Sequence, residues 1–246
     1  MLGGNMSNQG STLKMLAIQT ICSSTSTYPP VLRDRLGNSA PERVYVIGDA
    51  TVLRQSAVAF VCSVKCPGSV VIHTFDAIRE LRDAGVVVVG GFHSPMEQEC
   101  LEFLLRGKQP VIMSPAKGLS RPRLSTIQRD AIEAGRLTLV SIFPETDTRT
   151  NKKQSQSRNE FVAALSPSLL IPHASQGGNA ELIARQALER GQPLYTISDP
   201  ENDVLIKFGA TSYSCLQIKA IANRRDKQLK FDFAKHRAED ASLMQS

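Results

Sequence analysis

A rhythm leaves this chain the least freedom. From residue 44 onward, short runs of β-branched and apolar residues alternate with amphipathic stretches at least five times, with few residues between them. Apolar runs fall at 44–48, 86–91, 110–113, 137–142, 168–172 and 194–197, and helical spacing falls at 69–84, 94–107, 125–134, 159–165 and 179–190. A run such as Val86-Val87-Val88-Val89 has no polar face and must be covered on both sides. A strand that returns through a helix to a neighbouring strand runs parallel to it. The expected architecture is therefore α/β: a doubly wound, mostly parallel sheet with helices on both faces. The run at 44–48, stopped by Gly48, is read as one of its parallel strands.

The helix boundaries are written in the same code. Ser94 is placed to cap a helix, Pro95 fits its first position and Glu97 completes a capping box. Met96, Cys100, Phe103 and Leu104 then recur at helical spacing. Gly85, Gly135 and Gly191 stand where helices stop. The polar stretch 145–157 is read as a long loop, with a helix opening at Asn159. Residues 1–41, rich in Ser, Thr, Gly, Asn and Pro, are expected to form a flexible leader and an irregular lead-in. Residues 42–213 form the sheet domain, and 214–246 a basic helical tail.

At 246 residues the chain can bury a full core without metal or disulfides. Its five cysteines (Cys22, Cys62, Cys66, Cys100 and Cys215) are scattered. Cys62 and Cys66 are four apart, but no second pair with ligand spacing accompanies them, which argues against zinc and for reduced thiols in a cytoplasmic protein. No stretch of 18 apolar residues and no secretory signal is present, so no membrane partner is expected. The formal charge of +6 favours an anionic partner. From Lys219 onward seven cations face four acids, so half of that excess sits in the tail.

In a doubly wound sheet, ligands bind beyond the carboxyl ends of the strands, where strand order reverses. Gly90-Gly91-Phe92-His93-Ser94-Pro95 follows the second strand. Paired glycines admit a close backbone approach, and the N–H groups of the helix opening at Ser94 point into the same space. His173-Ala174-Ser175-Gln176-Gly177-Gly178-Asn179 repeats this arrangement after the strand that ends at Pro172. Arg158 and Asn159, read as a helix start, can face the same space, where an Arg fork grips phosphate. Lys117, Arg121, Arg123, Arg149, Lys152 and Lys153 are further cations along such a path. The candidate ligand residues are thus Gly90, Gly91, His93, Ser94, Lys117, Arg158, Asn159, Ser175, Gly177, Gly178 and Asn179. The glycine spacing is not G-x-G-x-x-G and no Walker lysine follows, so no cofactor is called for. His93 and Ser94 are adjacent, which is no catalytic pair; His73 is read as lying on its helix surface and His173 as a satisfied buried histidine.

These segments, in this order, resemble the DprA/Smf family of DNA-processing proteins. The resemblance rests on Val88-Val89-Gly90-Gly91, on Arg158-Asn159 through Leu165-Ser166, and on Ser175-Gln176-Gly177-Gly178, and it runs roughly from Arg43 to Ile197. It implies a Rossmann-like core that binds single-stranded DNA, forms a homodimer and hands the strand to a RecA-type recombinase in repair or DNA uptake, without catalysis. The family's first strand usually ends in Gly-Ser-Arg, whereas Gly48 is followed here by Asp49-Ala50. Its first glycine turn usually reads Ser-Gly-x-Ala-x-Gly-Ile-Asp, which this chain lacks. A minimal or divergent member is implied.

Two other classes use such a sheet. One is a nucleotide hydrolase similar to the lysine-decarboxylase-like phosphoribohydrolases, whose Pro-Gly-Gly-x-Gly-Thr-x-x-Glu turn is only faintly echoed by Gln176-Gly177-Gly178-Asn179-Ala180-Glu181. The other is a sensor that binds a nucleotide-like signal.

Overall fold

Because Val87, Val88 and Val89 cannot all turn to one face of a pleated strand, they require helices above and below. The computed structural model, which describes residues 17–214 and 216–218, supplies them. The strands are β1 (Gln19–Cys22), β2 (Arg43–Ile47), β3 (Ala57–Phe60), β4 (Val87–Gly90), β5 (Val111–Met113), β6 (Leu137–Ser141), β7 (Ser168–Leu170), β8 (Leu194–Thr196) and β9 (Thr211–Ser212). They form one sheet in the order β1-β2-β6-β5-β4-β3-β7-β8-β9. All neighbours are parallel except β1 with β2 and β2 with β6.

The helices are α1 (Pro30–Leu36), α2 (Gly68–Asp83), α3 (Pro95–Leu105), α4 (Thr126–Glu133), α5 (Lys152–Leu165), α6 (Asn179–Glu189) and α7 (Asp203–Phe208). Their apolar stripes divide between two cores. Leu32 of α1, Phe161 and Val162 of α5, Ile183 of α6 and Leu205 of α7 pack with Ala57, Ala59, Val87 and Val89. Ile78 and Leu81 of α2, Leu101 and Leu104 of α3 and Ile132 of α4 pack with Val58, Phe60 and Val88 on the opposite side. Alternate residues of β3 and β4 thus serve different cores, which is the strand period of two made visible. Gly85, at φ +72°, ends α2 in the left-handed region that an L side chain rarely adopts.

The doubly wound, mostly parallel architecture is the expected one, with four differences. First, β3 belongs to no predicted run, yet it is central and is buried at all four positions. Second, β2 is antiparallel to both neighbours. A short 3-10 turn, Ala50–Arg54, joins it to β3 in place of a crossover helix, so the chain reverses direction there. Third, the lead-in contains β1 and α1, and Ile21, Val31 and Leu32 are buried in the core. Fourth, α5 opens at Lys152, because Asn151 and Gln154 form a capping box inside the stretch read as loop. The expected tail lies outside the described residues apart from 214 and 216–218.

From β3 the chain winds outward through α2, β4, α3 and β5 on one side, then returns through α5 to β7 on the other side of β3. Strand order therefore reverses between β3 and β7. Their following segments leave toward opposite faces and open a crevice at the carboxyl rim.

Candidate functional site

The walls of that crevice are joined by hydrogen bonds. The Ser63 amide donates to the carbonyl of His173 at 3.1 Å, and the Ser175 amide donates to Ser63 Oγ at 2.8 Å. Between them lies a cavity of about 280 Å³, lined among others by Ser63, Lys65, His93, Arg158, Ser175 and Asn179. Both glycine turns reach this one space: His93 comes from the first and Ser175, Gly178 and Asn179 from the second.

The glycines make room for the protein's own side chains. A Cβ at Gly91 would lie 1.7 Å from Arg158 Nη1, so the absence of a side chain there is what admits the guanidinium. A Cβ at Gly90 would meet the Phe92 ring at 3.1 Å and the Phe60 carbonyl at 3.0 Å. Phe92 is buried, stacks on Phe60 at 6.1 Å between ring centroids, and takes φ +46°, which is rare for a bulky residue. Arg158 sits within α5, not at its start. It is only 2% exposed and donates from Nη1 to the Ser114 carbonyl at 2.9 Å and from Nε to Asn159 Oδ1 at 2.7 Å. Only its Nη2 edge is left toward the cavity, 3.4 Å from His93 Nδ1.

Four of the amides expected to cradle an anion are committed elsewhere. The His93 and Ser94 amides both donate to Glu97 Oε2 at 3.1 Å, and Ser94 Oγ caps the Glu97 amide. The Gly177 amide donates to Glu181 Oε2 at 2.7 Å, and the Gly178 amide donates to the Ser175 carbonyl. Two carboxylates of the chain thus occupy the helix-opening positions that the sequence assigns to a ligand. Positive side chains are left to attract an anion.

Glu97 is the residue that sequence reasoning undervalued, as a mere cap. Its buried carboxylate also takes the Cys62 amide at 3.3 Å and lies 2.9 Å from His93 Nδ1. Burial alone would raise its pKa. The hydrogen bond and charge of His93, the Ser94 amide and the nearby Arg158 outweigh burial and hold it below the usual carboxylate range. A Glu at N3 paired with a His four residues before it was the available signal.

Beyond His93 and Arg158 the space continues. A second cavity, of about 250 Å³, shares both residues and adds Gly91, Lys117, Arg123 and Leu124. It opens in turn on a groove of about 1090 Å³ lined by Lys117, Arg121, Arg123 and Arg129. No carboxylate lines this groove, and among the described residues none of the four cations forms an ion pair. Arg121, Arg123 and Arg129 are exposed. Lys117, a sequence candidate, thus bridges the groove and the second cavity. Gly90, Ser94 and Gly177 line none of the three spaces.

The hydrolase turn is also placed. Glu181 accepts from the Arg185 guanidinium at Oε1 and from the Gly177 amide at Oε2, and it does not line the crevice. His173 Nδ1 is 3.0 Å from Asn202 Oδ1, a satisfied histidine as expected. Among the described residues no group of three or more His, Cys, Asp or Glu side chains could hold a metal ion. None of the described helices is long and apolar enough to cross a membrane.

A doubly wound, mostly parallel sheet with a cation-bordered crevice at its switch point defines a Rossmann-like α/β protein. Within that class, the model of the family described as DNA recombination-mediator protein A matches residues 19–223, and the chain belongs to that family. Two solved structures share the fold. DNA processing protein A from Helicobacter pylori, whose single-stranded DNA binding mode has been described, is 23% identical with a TM-score of 0.66, over 87% of this chain and 96% of that one. DNA processing protein A from Streptococcus pneumoniae is 19% identical with a TM-score of 0.70, over 87% of this chain and 77% of that one. No sequence among the curated proteins matches.

The first parallel strand is β3, not β2, and it leads into Cys62-Ser63-Val64 at the carboxyl rim.

Proposed function

We propose that this chain binds single-stranded DNA along the groove of Lys117, Arg121, Arg123 and Arg129, with the strand's phosphates leading toward His93 and Arg158. The observation that carries this reading is a groove with four cations and no carboxylate, continuous with the switch-point crevice. Arg and Lys neutralise backbone phosphates without reading bases, which gives affinity with little sequence preference. Aromatics are 5% of the chain and tryptophan is absent, so stacking platforms are few and a backbone-reading mode fits. The cavity at the strand ends is close to the smallest small-molecule sites, roughly 300 Å³, and suits one nucleotide unit. The proposed residue roles are contact by His93, Lys117, Arg158, Asn159, Ser175, Gly178 and Asn179, and backbone support by Gly90, Gly91, Ser94 and Gly177.

The role we infer is DNA processing in recombination, repair or uptake in the cytoplasm, as a homodimer that passes its strand to a RecA-type recombinase. Titration with labelled oligo-dT, duplex DNA of the same length and a nucleoside monophosphate tests the ligand class by fluorescence anisotropy and competition. Oligo-dT binding tightest is the expected result. A preference for the mononucleotide, or release of free base from it, would replace this reading with the sensor or the hydrolase.

A further inference from the structure

We propose that the crevice cavity is a subsite for a phosphate monoester, the terminal phosphate of a single strand, held between the buried edge of Arg158 and the opening turn of α6. The inference rests on the DNA-binding reading and sharpens it: the groove holds the body of the strand and the cavity holds its end.

Arg158 reaches the cavity with a donor that the chain does not satisfy. It is 2% exposed, and its Nη1 and Nε are taken by the Ser114 carbonyl and by Asn159 Oδ1. Among the described residues the one group within reach of Nη2 is His93 Nδ1, at 3.4 Å. That ring nitrogen also lies 2.9 Å from Glu97 Oε2. An ionised carboxylate accepts and does not donate, so Nδ1 carries the hydrogen and has no lone pair left for Arg158. The Nη2 hydrogens are therefore free for a ligand. A buried guanidinium with unmet donors is costly until an anion meets them.

A second set of donors comes from α6. This helix of 11 residues opens at Gly178 without a side-chain cap. Asn179 and Ala180, its first two residues, line the cavity together with Arg158 and His93. Their amides have no carbonyl one turn back, and among the described residues nothing else accepts from them. Glu181 takes the Gly177 amide, which lies before the helix, and leaves these two free. No carboxylate lines the cavity, whereas exposed Lys65 does.

The shape of the space selects the end of a strand. The cavity meets the second cavity across His93, Ser155 and Arg158, and through it the cationic groove. On the side of β3 and β7 its walls are tied together by the Ser63–His173 and Ser175–Ser63 hydrogen bonds. A strand lying in the groove thus enters past His93 and stops at α6. At about 280 Å³ the cavity takes one nucleotide unit, not a strand passing through. A terminal phosphate offers three non-bridging oxygens and a charge of about −1.5 to −2 at neutral pH. An internal phosphate offers two such oxygens and a single charge. A guanidinium edge and two helix-opening amides match the terminal group.

The test compares internally labelled oligo-dT of one length carrying a 5′-phosphate, a 3′-phosphate or hydroxyls at both ends, by fluorescence anisotropy at one salt concentration. One phosphate-ended form is expected to bind about tenfold tighter than the hydroxyl-ended form, the scale of one charge-assisted hydrogen bond. Equal affinity of all three, or the same small gain at either end, would overturn the subsite. Asn179→Pro deletes one of the two amides at a first helical position, where proline is tolerated. Gly178 before it, at φ −86° and ψ 169°, already suits a residue preceding proline. The advantage of the phosphate-ended strand should shrink several-fold in this variant and persist in Asn179→Ala, which keeps the amide. An advantage unchanged in Asn179→Pro, or lost in both variants, would overturn the contact with α6. Thymidine monophosphate binding more tightly than the phosphate-ended strand would give the cavity to a free nucleotide and overturn its use by a strand end. Failure of every oligonucleotide to bind would instead refute the proposed function, while calorimetric titration with thymidine monophosphate and with thymidine still decides the subsite.

Discussion

Gly91 shows what a single residue can and cannot announce. Its missing side chain signals a close approach, and the sequence assigns that approach to a ligand; the structure assigns it to the guanidinium of Arg158. A glycine declares space without declaring the occupant. Gly91→Ala is expected to displace Arg158 and destabilise the protein by about 1–3 kcal/mol, the usual range for overpacking, with a lower urea midpoint and an unchanged slope. Glu97 is the counterpart on the acid side. Its pKa is depressed in the folded protein below the ordinary 4.5, so its stabilising contribution is present above about pH 4.5 and disappears as pH falls through the folded value. Glu97→Gln should be less stable at neutral pH and should lose part of the acid-induced fall in stability seen in the wild type. Urea titrations of both proteins from pH 7 down to pH 3.5 check this. A parallel acid limb in the two proteins would remove Glu97 from the account.

At the scale of elements, what could be read were the pieces with both a pattern and a boundary. α3 carries a cap, a proline, an acidic partner and an apolar stripe, and all of its signals agree with its structure. β3 has none of these boundaries: Ala57-Val58-Ala59-Phe60 is preceded by Ser56 and runs on into Val61-Cys62 without a glycine stop. Its identity as a strand comes from pairing partners 30 or more residues away, on β4 and β7, which no local pattern encodes. The direction of β2 was hidden likewise, because an apolar run has no arrow. The first two turns of α5 are polar, so periodicity was silent there, and only the Asn151–Gln154 box marks the start. Asn151→Ala should cost about 1 kcal/mol and fray that first turn, visible as a lower thermal midpoint and faster amide exchange over 152–155. Unchanged exchange there would mean the helix is held by its packing alone.

For the molecule as a whole, the rim location of the site follows from the topology, whereas its polarity follows from residues brought together over long separations. The sequence placed both glycine turns at one rim, and His93, Ser175 and Asn179 do line one cavity. It did not reveal that Glu97 and Glu181 would take the turn amides, since that depends on where two side chains fold back. Nor did it reveal that the groove of Lys117, Arg121, Arg123 and Arg129 would join the crevice through a shared cavity. If these cations hold backbone phosphates, each contributes to counterion release, and log affinity should fall with log salt by about 0.7 for every phosphate neutralised on a single strand. The measurement that tests this most directly is oligo-dT anisotropy across a salt series for the wild type and for the combined Arg121→Ala, Arg123→Ala, Arg129→Ala variant, with circular dichroism to verify folding. The account predicts weaker binding and a slope shallower by about 2 in the variant. A folded variant with the wild-type affinity and slope would show that the strand lies elsewhere.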